Sequence, residues 1–153
     1  MPELVLNTGP VIALTAAAGT LSFFEKLYDE VLIPLEVIHE LEAGGANCPE
    51  LVALRNCGAI RMMTECVEVP TALRSQLDLG EASVIQTALH HQVATVAIDE
   101  KLERQMARLH ELNVTGSIGI LVKASKAQYL LDLNICFERM NEKGVWVGEA
   151  LMQ

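Results

Sequence analysis

Short apolar, β-branched runs separated by segments of helical period set the tightest limit on how this chain can fold. Four runs read as buried strands, ELVLN (3–7), EVLIP (30–34), AIRMM (59–63) and VATVAID (93–99), and NVT (113–115) makes a short fifth. None alternates cleanly between apolar and polar residues, the pattern of strands covered on both faces. Helix punctuation recurs between them. Gly9-Pro10 places a proline in the first turn of a helix running to about Gly19, and Thr20 can cap a second helix through Tyr28. Pro34 opens a third, PLEVIHELEA, which Gly44-Gly45 ends, and CPELVALRNCG repeats the device with Pro49 near its start and Gly58 just past its end. LGEASVIQTALHH reads as a helix with Val84, Ile85, Ala88 and Leu89 on one face, and residues 99–112, 117–126 and 131–143 supply the rest. Strands alternating with helices imply right-handed crossovers and an α/β fold of three layers, a parallel sheet with helices on both faces.

At 153 residues the chain has the length of one domain, spanning 1–153. No apolar run approaches the ~20 residues of a membrane helix. The longest, VTGSIGILV, is broken by glycines and followed by Lys123. No basic region precedes an apolar stretch at the N-terminus, which predicts no secretory leader and a cytoplasmic protein without a membrane partner. Cys48, Cys57, Cys66 and Cys136 are too far apart for a paired C-x-x-C zinc site and read as structural thiols in a reducing compartment. The formal charge of −9 opposes the basic surface of a simple nucleic-acid-binding module. It leaves open an enzyme whose acids hold metal ions and which takes its positive charge from them. Loose segments are expected at EAGGANC (42–48) and after Trp146.

In open parallel sheets ligands gather outside the carboxyl ends of the strands, where strand order reverses. The first strand ends in Asn7 and the run 93–99 ends in Asp99-Glu100, so polar groups meet at one rim if these strands are neighbours. Glu81 lies in the first turn of its helix on the side of Val84, Ile85 and Ala88, either as a site carboxylate or as an ordinary first-turn acid favoured by the helix dipole. Glu40 borders the apolar stripe of its helix and reads either as a solvated glutamate or as a second site acid. Asn7, Glu40, Glu81 and Asp99 share one property: each falls near a strand-to-helix junction or a helix start. Carboxylates converging without basic partners repel and hold protons, unless a hard divalent cation offsets them. Mg²⁺ or Mn²⁺ with oxygen ligands suits such a set.

These stretches resemble the PIN-domain superfamily. LVLNTGPVIAL is similar to its opening strand, turn and helix, which usually carries an aspartate followed by Thr or Ser; VLIPLEVIHEL is similar to its second strand and glutamate-bearing helix. LDLGEASVIQTALHHQVATVAIDEKLER resembles the paired segment in which one acid opens a helix and another ends the next strand. Within the superfamily the chain looks like the prokaryotic subgroup that opens with Asn-Thr-Ser/Gly-Pro and carries GEA and TGSIGIL-like segments, a likeness covering about residues 3 to 126. The resemblance implies a sheet of strand order 3-2-1-4-5 and a Mg²⁺- or Mn²⁺-dependent ribonuclease site, with Glu40, Glu81 and Asp99 as catalytic and metal-binding acids. It also implies an RNA substrate, a homodimer, and the role of toxin restrained by a small antitoxin protein. Asn7 departs from the pattern by standing where the first metal-binding aspartate usually stands. A neutral amide oxygen can still coordinate a hard cation, with weaker attraction, which predicts lowered metal affinity and activity.

Several nearby residues have two readings. Lys101, Arg104 and Arg108 can meet phosphates, or form a solvated face pairing with Glu100, Glu103 and Glu111. Thr8 can bond a ligand water or cap the first helix. Thr115 and Ser117 flank Gly116 at a helix start, where backbone N–H groups can receive a phosphate or an ordinary cap. The expected function is a metal-dependent endoribonuclease, with a non-catalytic PIN-like RNA-binding or protein-interaction domain as the alternative. A receiver or nucleotide-binding domain fits less well, because no strand ends in lysine and no glycine-rich phosphate loop follows the first strand.

Overall fold

The computed structural model describes residues 2–127 and 132–144. The five strands are β1 (Glu3–Leu6), β2 (Glu30–Ile33), β3 (Ile60–Met62), β4 (Thr95–Ala97) and β5 (Asn113–Thr115). They form one sheet in the order β3-β2-β1-β4-β5, parallel throughout. The helices are α1 (Thr8–Ala18), α2 (Phe24–Leu27), α3 (Leu35–Glu42), α4 (Pro49–Arg55), α5 (Thr71–Arg74), α6 (Leu79–His91), α7 (Lys101–Leu109), α8 (Ser117–Lys126) and α9 (Leu133–Glu142). The result is a three-layer α/β/α fold. In it α1 packs with α3, α4, α8 and α9, while α6 packs on β1 and β4 beside α5 and α7.

The central strands are covered on both faces, as their sequences predict: Leu4, Val5, Leu6, Val31, Ile33, Val96 and Ala97 are fully buried. The edge strands are not. Ile60 and Met62 are half-buried with Arg61 exposed, and Asn113 on β5 is exposed, because an edge strand has a neighbour on one side only. Strand order reverses at β1, which pairs with β2 on one side and β4 on the other. The ladder runs on past β1, since the Asn7 N–H donates to the Ala97 carbonyl at 3.3 Å. That places Asn7 and the end of β4 side by side on the rim where a ligand crevice is expected.

Gly19 ends α1 at φ 72, a left-handed conformation that costs a side chain energy and glycine nothing, and its N–H closes the last turn on the Thr15 carbonyl at 2.8 Å. The second helix is shorter than its sequence suggests. Thr20 Oγ1 accepts the Ser22 N–H at 3.1 Å, and the resulting turn buries Leu21, Phe23 and Phe24 completely before α2 begins. The four-residue α5 was not anticipated, being too short to show a period. Leu89, expected on the buried face of α6, is 37% exposed, whereas Val84, Ile85 and Ala88 are fully buried. Cys48, Cys57 and Cys136 are buried free thiols, while Cys66 is exposed and so is no core thiol. The start of the last expected helix at Leu131 and the segment after Trp146 lie outside the described residues. Among the described residues no helix is long and apolar enough to cross a membrane.

Candidate functional site

Asn7 is the N-cap of α1 by backbone, at φ −86 and ψ 168, yet its side chain makes no capping bond. The amide turns the other way. Nδ2 donates to Glu103 Oε1 at 2.8 Å, linking the tip of β1 to the first turn of α7 across 96 residues of sequence. Both residues are buried, Asn7 6% and Glu103 0% exposed. Glu103 therefore does not belong to the solvated face expected for this helix; its register with buried Ala107 turns it inward. Oε2 of Glu103 is buried with no hydrogen-bond partner. Burial pushes the Glu103 carboxyl up to about 9, with the charges of Glu81, Asp78, Glu100 and Glu40 adding to the effect.

Those four charges mark out the crevice. Glu40, on α3, is exposed, and its Oε2 accepts the Thr8 hydroxyl at 3.1 Å. Thr8 thus bonds a carboxylate of another helix, and the reading of Thr8 as a helix cap is not borne out. The Glu40 carboxyl lies above its ordinary pKa, chiefly through partial burial, with Thr8 opposing and Asp78 adding. Gly80 makes room for it: a Cβ there would fall on Glu40 Oε1. A helix start stripped of its side chain thus cradles a carboxylate from α3.

Asp78 and Glu81 form a reciprocal capping box at the start of α6. The Asp78 carboxylate accepts the Glu81 N–H at 2.8 Å, and Glu81 Oε1 accepts the Asp78 N–H at 3.1 Å. The role of Glu81 as a first-turn acid is thus met, and half-burial still raises its carboxyl, with the charges of Asp78 and Glu100 adding. Sequence reasoning passed over Asp78 although the D-x-x-E spacing of a capping box stands in DLGE.

Asp99 follows β4 and is turned toward β5. Its Oδ1 accepts the Ser117 N–H at 2.8 Å and its Oδ2 the Ser117 hydroxyl at 2.6 Å. The anion at the start of α8 is therefore the protein's own carboxylate. Arg104 stands beside it: a Cβ on Gly116 would meet Asp99 Oδ1 at 3.0 Å and Arg104 Nη1 at 3.2 Å. Thr115 lies half-buried at the end of β5, while Lys101 is exposed at the start of α7. Among the described residues none of Glu40, Asp78, Glu81, Asp99, Glu100 and Glu103 has a basic ion-pair partner.

A family model described as a PIN domain matches residues 3–153. The chain belongs to the PIN-domain family. Comparison with curated proteins finds no match. In this PIN domain the donor set of the crevice is oxygen throughout, and Oε2 of Glu103 is buried and orphaned, so the chemistry suits a hard cation. As the side chains stand, no three acidic, histidine or cysteine groups among the described residues are grouped to hold one ion. Glu36 is also buried with both carboxylate oxygens unpartnered, but it is not among the charges that shift Glu40, Glu81 or Glu103.

Proposed function

We propose that this PIN domain is a Mg²⁺- or Mn²⁺-dependent endoribonuclease that hydrolyses phosphodiester bonds of RNA. The observation that carries the reading is the gathering of Glu40, Glu81 and Glu103 around the Asn7 end of β1 without a basic partner. When bound, a divalent cation supplies the charge that offsets these acids, orients a phosphodiester and lowers the pKa of a water. Glu40 is exposed and Glu81 half-buried; each would exchange its present hydrogen bond for the cation, with Asn7 offering its amide oxygen and Asp99 a carboxylate from the neighbouring strand. Ser117 positions Asp99 through two hydrogen bonds. Thr8 steadies Glu40, and in this reading Lys101, Arg104 and Thr115 meet the RNA backbone.

Purified protein is expected to cleave single-stranded RNA slowly with Mn²⁺, and Asp99→Asn to abolish the cleavage. Cleavage that survives both EDTA and Asp99→Asn belongs to a contaminant and removes the enzymatic reading. Gly80→Ala supplies a subtler check. The atom it meets is the end of a flexible side chain, so the fold should lose no more than ~1 kcal/mol. Glu40 must move away, and Mn²⁺-dependent cleavage should fall, with thermal melting as the control.

A second reading has its own support. The Asn7 amide is neutral, and both oxygens of Asp99 are already bonded to Ser117, which suits a PIN domain that binds RNA or a protein without cutting. Calorimetric titration separates the two, since no heat at millimolar Mn²⁺ favours the binding role. The toxin role, a small antitoxin partner and a homodimer extend the first reading. Growth arrest on expression that Asp99→Asn relieves would support the toxin, and sedimentation of the purified chain reads its assembly.

A further inference from the structure

We infer that Glu103 is itself a ligand of the divalent cation, supplying the negative charge that Asn7 lacks; the inference rests on the endoribonuclease reading above. Glu103 is completely buried, which is rare for a glutamate and costly unless its oxygens are occupied. One of them is, by Asn7 Nδ2 at 2.8 Å. The other, Oε2, is buried among acids and has no partner. An apolar side chain of similar size would fill the same space at lower cost, so stability alone does not account for a carboxylate here.

The hydrogen bond also settles which way the Asn7 amide faces. Nδ2 is committed to Glu103, so Oδ1 points away from it. The two side chains together therefore offer one amide oxygen and one carboxyl oxygen, with at most a single negative charge between them. An aspartate at the tip of β1 would provide that charge alone, and a second carboxylate at hydrogen-bond distance would then oppose it. Asparagine at position 7 and glutamate at position 103 are thus a matched pair, in which the acid stands on α7 and the amide at the tip of β1.

The test is calorimetric titration of Mn²⁺ into the wild-type protein, Glu103→Gln and Glu100→Gln at one pH. Glu100→Gln removes the same charge from the same helix end, at an exposed position. Glu103→Gln is expected to weaken Mn²⁺ by roughly tenfold or more, and Glu100→Gln by less than about threefold. Thermal melting checks that each variant is folded, and Glu103→Asp, which keeps the charge one methylene shorter, should retain part of the affinity. Equal Mn²⁺ affinity in wild type and Glu103→Gln, with loss in Glu81→Gln or Glu40→Gln, overturns the ligand role and leaves the metal-dependent reading standing. A wild type that binds no Mn²⁺ at millimolar concentration overturns both.

Discussion

Glu103→Gln is expected to melt several degrees above wild type at about pH 8 without divalent cations, and close to it at about pH 5. The sign follows from linkage. A glutamate whose folded-state pKa is raised to about 9 keeps its proton in the folded chain while the unfolded chain gives it up above the ordinary value of 4.5. Folding then takes up a proton throughout that interval. Stability is intact below the lower value and falls as pH rises toward the upper one, by at most ~1.4 kcal/mol per pH unit. Water penetration and relaxation reduce this in practice, and ~1–3 kcal/mol at about pH 8 is a fair expectation. For a chain of this length that corresponds to roughly 2–4 °C per kcal/mol. The Gln side chain keeps the volume and can still accept the Asn7 Nδ2–H, while its own amide nitrogen replaces an oxygen that has no partner in the wild type. Melting curves at three pH values decide the matter. A gap between the two proteins that does not widen with pH would mean that Glu103 ionises normally.

A substitution that stabilises the metal-free chain while weakening the proposed cation site is what a buried functional acid should show. Binding sites gather like charges that the rest of the fold must hold together. The acids of this crevice are held by ordinary devices: a capping box for Glu81, a hydroxyl for Glu40, a helix start for Asp99. Among the described acids of the crevice, Glu103 is the one that combines full burial with an unpartnered oxygen.

Much of this was legible in the sequence because it is written locally. Central strands appear as unbroken apolar runs and helix ends as Pro10, Gly19 and Gly44-Gly45, while the strand order 3-2-1-4-5 was implied only by the resemblance to PIN domains. Asn7 and Asp99 could be placed on one rim because a parallel strand delivers its last residue there whatever its side chain. What escaped was long-range. KLERQMARLHEL is rich in charge, so Glu103 reads as one more solvated residue, and only the meeting of α7 with the tip of β1 buries it. The cap reading of Thr8 failed for the same reason, since its partner Glu40 lies 32 residues away. Asp78 is the opposite case, a local signal that was present in DLGE and overlooked.

Asn7→Asp should move the protein in two directions at once. Without cations it replaces a buried N–H···O bond by two carboxyl groups at the 2.8 Å now spanned by Asn7 and Glu103. One must stay protonated or both must be charged in a site closed to water, and the loss of stability at about pH 8 should reach ~2–4 kcal/mol. With Mn²⁺ the same two acids become favourable neighbours of a cation. Any ligand bound only by the folded state stabilises it by RT ln(1 + [L]/Kd), about 2.7 kcal/mol at a hundred times Kd. The melting temperature of Asn7→Asp should therefore respond to millimolar Mn²⁺ more steeply than that of wild type, and RNA cleavage should rise. Adding Glu103→Gln to Asn7→Asp tests the pairing itself: it should relieve the repulsion, restoring metal-free stability, while the aspartate keeps the cation bound. If Asn7→Asp only loses stability, with no Mn²⁺ response and no gain in cleavage, the amide at the tip of β1 serves to bind Glu103 and the crevice takes no cation.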